Sequence, residues 1–198
     1  MKVLKFGGGC LKNSKCIKKL PKIIQNYNQD PLIIVLSAFG KVTNMLENEQ
    51  YSAVVDYITA IMLDLKFESN DIKSVLEKQM APIYPISNIK LNYPERVCLG
   101  EYVSSDIIHR YLNNCNLTNS LLDSARCIYT KSWNDTSCFS DFHSAIFPTI
   151  DKSTLNKKNP ILIAQGFISS DINSKNNFSE IKRTTLGREG SDYSAAIF

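Results

Sequence analysis

Two uninterrupted apolar runs constrain this chain more than any other feature. Leu32-Ile33-Ile34-Val35-Leu36 follows Pro31 and stops at the turn Ser37-Ala38-Phe39-Gly40. Ile161-Leu162-Ile163-Ala164 follows Pro160 and stops at Gln165-Gly166-Phe167, in the same pattern. Neither run alternates apolar with polar residues, so neither offers a face to water. That composition suits strands of a parallel sheet, buried on both sides by covering helices. Val3-Leu4-Lys5-Phe6 reads as a further short strand, ended by Gly7-Gly8-Gly9. Between it and the first run, residues 14–27 are predicted helical. Ile17, Leu20, Ile23 and Ile24 fall on one face, and Lys15, Lys18, Lys19 and Lys22 largely on the other. Pro21 is expected to break that helix into two pieces. Strand, glycine turn, helix and strand compose a βαβ unit, and the chain is read as α/β.

The rest of the sequence extends this reading. Residues 45–77 are predicted helical, with Val54, Val55, Ile58, Ile61, Met62 and Leu65 as core. Ser69-Asn70-Asp71 interrupts the pattern and caps a further helix over 71–78. Residues 81–94, with Pro82, Pro85 and Pro94, form a connector. Residues 95–112 make a long helix whose packed face holds Val97, Gly100, Ser104, Ile107, Ile108 and Leu112. Gly100 inside it costs about 1 kcal/mol relative to alanine, which implies a close approach by another segment. Residues 120–123 and 127–130 suggest short strands. Residues 133–140 read as a polar loop, 142–150 as a helix ending near Pro148, and 169–182 as a mobile surface hairpin or loop.

Composition excludes several classes. The 198 residues allow one domain with a real core. A hydrophobic share of 43% and a charged share of 21% are globular values. The net charge of +4 is too weak to argue for nucleic acid. No apolar run approaches the roughly 20 residues of a membrane span. The first residues lack the apolar core of a signal peptide. The six cysteines form no CxxC pair and read as free thiols of a cytoplasmic protein.

The residues able to do chemistry cluster at turns. Thr184-Thr185-Leu186-Gly187-Arg188-Glu189-Gly190-Ser191-Asp192 leads into a helix beginning near Ser191, and Ser191 or Asp192 could cap it. Glycines before a helix N-terminus let the backbone approach an anion, and Arg188 adds a fork-shaped cation. A solvated loop entering an ordinary helix would look the same. Gly7-Gly8 and the turn over 37–44 fall at the carboxyl ends of their strands, where open α/β sheets bind ligands. Lys5 lies within its strand, where it either reaches a phosphate or snorkels to solvent. Glu101, beside Gly100, is either a polar group of the same pocket or a surface glutamate.

Taken together, these segments resemble one family. Lys5-Phe6-Gly7-Gly8, Ser37-Ala38-Phe39-Gly40-Lys41-Val42-Thr43-Asn44, Gly100-Glu101, Asp123-Ser124-Ala125-Arg126, Gln165-Gly166-Phe167 and the 184–192 stretch occur in the order seen in aspartate kinases. The resemblance covers nearly the whole chain. It implies the amino acid kinase fold, a three-layer αβα sandwich with a mostly parallel central sheet. It also implies transfer of the γ-phosphoryl of ATP to the β-carboxylate of L-aspartate, a step toward lysine, threonine and methionine. On this resemblance Lys5 and the Gly7-Gly8 backbone would hold ATP phosphates, with Mg²⁺ bridging them and no protein metal ligand expected. Arg188 would grip the aspartate α-carboxylate and Glu101 its ammonium group. Ser37, Thr43, Phe167 and Ser191 would complete the pocket. Asp192 would orient the substrate or a lysine near the phosphates. Partners would be aspartate, ATP and a second copy or a separate carboxyl-terminal half, with no nucleic acid and no membrane.

The sequence departs from the family pattern in three places. Gly9-Cys10 stands where Thr-Ser is usual, and Glu189 where glycine is usual. The sequence given stops at Phe198, before the segment expected to build the nucleotide half of the fold, and no ACT domain is expected within it. Residues 1–198 are therefore expected to be the aspartate-binding portion of a kinase domain, with little or no activity alone. The alternative is a degenerate kinase-like protein that binds an amino acid or a partner without phosphoryl transfer.

Overall fold

The two apolar runs lie side by side. In the computed structural model, which describes residues 1–27, 29–85, 90–131, 139–140, 160–174, 181–187 and 189–198, they form β2 (Leu32–Leu36) and β6 (Ile161–Gln165), paired in parallel with Leu32 opposite Ile161. Every residue of both strands is buried. β1 (Lys2–Phe6) runs parallel on one side of β2, and β3 (Ser120–Leu122) parallel on the far side of β6, giving the order β1-β2-β6-β3.

The two faces of this sheet feed separate cores, as the two-residue period of a strand requires. Leu32, Ile34, Leu36, Ile161 and Ile163 join the larger core, built on helices α1 (Ser14–Ile17), α2 (Leu20–Gln25), α3 (Val42–Glu47), α4 (Tyr51–Asp64), α5 (Ser69–Gln79) and α6 (Tyr93–Asn114). Ile33, Val35, Leu162 and Ala164 point the other way, toward Leu186 and Ala195 and Ile197 of α7 (Gly190–Ile197). A second sheet, ordered β5-β4-β7-β8, comprises β4 (Ile128–Thr130), β5 (Phe139–Ser140), β7 (Ile168–Asp171) and β8 (Arg183–Thr185). β4 and β7 are parallel, and the outer pairs antiparallel. The fold is α/β with a mostly parallel central sheet.

Several local expectations are corrected. The helix predicted over 14–27 does break, but at Lys18-Lys19; Pro21 sits in the first turn of α2, where its missing N–H costs nothing. Ile23 is exposed, not core. The single helix predicted from residue 45 is two, and the first starts at Val42, so Thr43 lies on a helix and not in the turn. Glu49 adopts φ 56° and Gln50 N–H donates back to the Met45 carbonyl, a Schellman-type stop. Lys66 (φ 68°) and Asn116 (φ 59°) end α4 and α6 in the same way. α6 starts two residues before its predicted position. Asn92 and Glu95 exchange side-chain and backbone hydrogen bonds as a capping box, with Pro94 in the first turn.

Ser169 and Ser170, predicted in a mobile surface segment, are buried in β7. Thr184 and Thr185 are buried in β8. Residues 139–140, read as loop, are a strand. The helix predicted over 142–150 and most of the 133–140 loop lie outside the described residues. Cys10, Cys16, Cys98, Cys115 and Cys127 are free thiols. No helix among the described residues is long and apolar enough to cross a membrane.

Candidate functional site at the carboxyl rim of the central sheet

The carboxyl ends of β1, β2 and β6 are bound to one another by backbone. Ser37 N–H donates to the Phe6 carbonyl at 3.1 Å, and Gly166 N–H to the Leu36 carbonyl at 2.7 Å. Each strand then turns through small residues that leave room for the next. A β-carbon on Gly8 would stand 2.8 Å from the Gly40 carbonyl oxygen and 3.3 Å from that of Ala38. The first two turns therefore touch through bare backbone. A β-carbon on Gly166 would stand 2.6 Å from the Ser191 side chain.

Helix α6 passes beneath the β2 turn. A Gly100 β-carbon would meet the Ala38 Cβ at 2.9 Å and Val42 Cγ1 at 3.3 Å. This is the close approach that a mid-helix glycine implied. It brings the next residue, Glu101, to the turn, where Oε1 accepts from Ala38 N–H at 3.2 Å. Glu101 is 3% exposed, and Oε2 has no hydrogen-bond partner among the described residues. Burial pushes its carboxyl up to about 8, against a smaller opposing pull from the Ala38 amide. With no countercharge beside it among the described residues, an ionised carboxylate here is an acceptor for a cation.

Helix α7 completes the rim. Phe167 adopts φ 69°, an unusual conformation for an aromatic residue. It is held by a hydrogen bond from its N–H to Ser194 Oγ at 2.9 Å and one from Leu186 N–H to its carbonyl at 2.9 Å. Gly190 is pressed against it, a β-carbon there meeting Phe167 Cδ2 at 2.9 Å. Docked this way, the first turn of α7 sends Asp192 back to β1. Lys5 Nζ lies 2.9 Å from Asp192 Oδ1 and 3.1 Å from Oδ2. The same Nζ stands 3.3 Å from where a Gly7 β-carbon would be, so the lysine arches over the glycine turn.

Of the residues singled out in the sequence, Lys5, Gly7, Gly8, Ser37, Glu101, Phe167, Ser191 and Asp192 are joined by these contacts. Thr43 is half-buried in the first turn of α3, next to Val42. Arg188 lies outside the described residues. Neither Ser191 nor Asp192 caps α7; the N-cap is Glu189, exposed, at φ 58° and without a side-chain cap bond.

Sequence reasoning missed the supports. Ser104 Oγ donates to the Ser37 carbonyl at 3.0 Å. Gln165 Oε1 accepts from Ser124 N–H at 3.0 Å, and its Nε2 donates to Ser105 Oγ at 3.1 Å, tying β6 to α6 and to the 3₁₀ turn at Ser124–Arg126. Ser104 could have been found as the residue one turn beyond Glu101. Gln165, a polar residue closing an apolar strand, was visible but unassigned.

The rim thus offers a cation over bare amides on one side and, on the other, a buried carboxyl whose Oε2 has no partner among the described residues. That suits a ligand carrying both an anion and an ammonium group. Among the described residues, no cluster of three or more His, Cys, Asp or Glu side chains could hold a metal ion.

The profile of the amino acid kinase family matches residues 1–198, and the chain belongs to that family. Its relatives narrow the comparison to aspartokinases. It is 27% identical to the bifunctional aspartokinase/homoserine dehydrogenase 2, chloroplastic, of Arabidopsis thaliana, over 98% of this chain and 23% of that protein. It is 26% identical to aspartokinase 2, chloroplastic, of the same plant, over 98% of this chain and 38% of that one. The chain therefore spans well under half the length of these relatives. Among solved structures, it superposes over its whole length on E. coli aspartokinase III in complex with aspartate and ADP, with TM-score 0.77 and 22% identity, covering 46% of that chain. The lysine and aspartate complex of E. coli aspartokinase III gives 0.73 and 24%, again covering 46% of that chain. These likenesses establish the fold.

Proposed function

We propose that this chain carries the aspartate-binding part of an aspartate kinase, acting in phosphoryl transfer from ATP to the β-carboxylate of L-aspartate. The observation that carries the reading is the meeting of Lys5, Asp192 and the Glu101 carboxyl at one sheet rim, from segments at both ends of the chain. Glu101 would accept the substrate ammonium, and Ser37, Thr43, Phe167, Arg188 and Ser191 would shape the pocket for its carboxylates. Lys5 and the Gly7-Gly8 amides fit ATP phosphates, because the turn leaves its amides bare and the lysine is already held above them by Asp192. ATP with Mg²⁺ supplies the transferable phosphoryl group and neutralises its charge. The residues of this chain hold the acceptor and keep a positive charge where negative charge develops.

The relatives' names and the aspartate and ADP bound in one structural neighbour support this substrate pair. Calorimetric titration with L-aspartate and a coupled ADP-release assay test it. Weak aspartate binding with little or no turnover is expected of the 198-residue chain. No aspartate binding would reject the substrate, and robust turnover would reject the view that the nucleotide half lies outside this chain.

A second reading has one observation in its favour. Glu189 places a carboxylate, in a strained left-handed conformation, at the N-cap of α7, where the rim would receive an anion. A degenerate kinase-like protein that binds an amino acid, or a partner, without phosphoryl transfer would tolerate that charge.

A further inference from the structure

Gly40, in the turn that follows β2, is enclosed by Gly8, Lys12 and Tyr57. On one side it meets Gly8, whose β-carbon would stand 2.8 Å from the Gly40 carbonyl oxygen. On the other, a β-carbon on Gly40 itself would lie 3.6 Å from Lys12 Cα and would collide with the Tyr57 hydroxyl. Gly8 and Lys12 belong to the entry and the exit of one loop, so the glycine loop of residues 7–13 folds around Gly40. At φ 50°, Gly40 holds a conformation that suits glycine, and it has no room for a side chain either. That room is taken by Tyr57.

Tyr57 reaches into this gap from α4. Its hydroxyl donates to the Lys12 carbonyl. Burial raises the phenol above its ordinary value, so it stays protonated as a donor. Two turns further along the same face of α4, Asp64 Oδ2 accepts from Ser14 Oγ at 2.8 Å. Ser14 begins α1, and Asn13 caps that helix by accepting from Cys16 N–H at 3.0 Å. The exit of the loop is therefore tied to α4 at two points. The helix itself is anchored in the larger core through Val54, Ile58, Ile61 and Met62.

The loop needs such ties. Within it, Cys10 N–H donates to the Gly7 carbonyl at 2.9 Å, and Leu11 N–H to the Gly7 and Gly8 carbonyls at 3.2 Å. A β-carbon on Gly9 would meet nothing within 4 Å, and its φ is not positive, so neither packing nor backbone demands glycine there. Three consecutive glycines add backbone freedom that ligand binding must remove. Bare amides receive an anion best when they are fixed beforehand, because ordering them on binding costs affinity. We propose that Tyr57 is a positioning residue for the phosphate site: its hydroxyl, wedged between the Lys12 carbonyl and the Gly40 turn, holds the glycine loop in the shape in which the Gly7-Gly8 amides receive an anion. The role rests on the reading that this turn takes ATP phosphates, and adds to it a residue of α4 that touches the loop and not the ligand.

Tyr57→Phe keeps the ring and deletes the hydroxyl. Amide exchange at Cys10 and Leu11, followed by NMR on the 198-residue chain, should speed up several-fold. Calorimetry should show inorganic triphosphate bound about fivefold more weakly, the size of one net hydrogen bond, while L-aspartate affinity stays unchanged. Gly9→Ala added to Tyr57→Phe should recover part of the triphosphate affinity, because alanine restricts the loop at a position with open space. Recovery without the hydroxyl would separate loop order from any contact of Tyr57 with the ligand. Unchanged exchange at Cys10 and Leu11 overturns the proposal, and so does faster exchange with unchanged triphosphate affinity. A parallel loss of triphosphate and aspartate binding overturns it too, by making Tyr57 an ordinary packing residue of α4. These three results leave the aspartate kinase reading standing. A parent chain that binds no inorganic triphosphate takes the phosphates away from the glycine turn, and the proposal then fails together with that reading.

Discussion

Lys5 and Asp192 close the two ends of the chain onto each other, with Nζ 2.9 Å from Oδ1. The pair is worth little as stabilisation, because the side chains are 27% and 63% exposed and such pairs contribute about 1 kcal/mol or less. Its value is positional: the lysine is held over the Gly7-Gly8 amides. Lys5→Ala should therefore move the melting temperature by only a few degrees, yet weaken binding of inorganic triphosphate about tenfold. Calorimetry at matched ionic strength reads the change. An unchanged affinity would remove Lys5 from the anion site.

Glu101 makes stability depend on pH with a sign opposite to that of a salt-bridged acid. Its folded value is raised from 4.5 to about 8. Below the unfolded value both states hold the proton and no penalty arises. Between the two values the unfolded chain releases the proton while the folded chain keeps it, so stability falls as pH rises; above about 8 the loss is complete. Glu101→Gln keeps the acceptor for Ala38 N–H and removes the titration. It should be as stable as the parent near pH 4 and more stable by a few kcal/mol at pH 8.5, read from urea unfolding at the two pH values.

The same group predicts a proton count for ligand binding. An ammonium placed against Glu101 favours its ionised form. At pH 7 the free site holds the proton and the aspartate complex should not. Binding of L-aspartate should therefore release most of one proton, visible as a binding enthalpy that changes with the ionisation enthalpy of the buffer. Succinate, which has no ammonium, should show no such release at this site, and Glu101→Gln should abolish it for aspartate.

The strands were legible because their signal is local. An apolar run without alternation reports burial on both faces, and β2 and β6 are adjacent and buried throughout. The pairing of the glycine turns was also legible, since both fall at the same edge of a parallel sheet. Helix ends were less so. Glu49 and Lys66 take left-handed conformations that sequence signals assign to glycine or asparagine, so nothing local marked those ends, whereas Asn116 fits the signal and was not read as one. The second sheet escaped because Ser169, Ser170, Thr184 and Thr185 look like solvated loop. They are buried as a hydroxyl network, in which Thr130 and Thr184 lie 2.6 Å apart and Ser169 and Thr184 2.9 Å apart. For Glu101, sequence alone could not separate a pocket from a surface; burial depends on Gly100 fitting Ala38, a contact between residues 62 positions apart.

That fit can be measured. Gly100→Ala gains about 1 kcal/mol of helix propensity, but the added carbon would stand 2.9 Å from Ala38 Cβ, which is fixed on a backbone turn and cannot swing aside. Overpacking of this kind costs about 1–3 kcal/mol, so the net effect should be destabilising by about 1 kcal/mol. Ala38→Gly added to Gly100→Ala should restore more stability than the separate substitutions predict, as a double-mutant cycle in urea would show. Additive effects would mean that the two residues do not press on each other.

Glu189 decides between the two functional readings. At φ 58° it carries the strain of a non-glycine residue in the left-handed region, about 1–2 kcal/mol. Its carboxylate at the start of α7 returns about 0.3–1 kcal/mol through the helix dipole. The strain is the larger effect, so Glu189→Gly should stabilise the chain by up to about 1 kcal/mol, or a few degrees of melting temperature. It also removes a negative charge from the entrance to a site that would receive a dicarboxylate. If the rim binds L-aspartate through its carboxylates, Glu189→Gly should tighten aspartate binding several-fold, and the gain should shrink in high salt as the removed repulsion is screened. A rise in stability with unchanged aspartate affinity would show that the carboxylate points away from the ligand. A loss of affinity would mean that Glu189 itself contacts the ligand, as an amino-acid-binding protein without phosphoryl transfer would require.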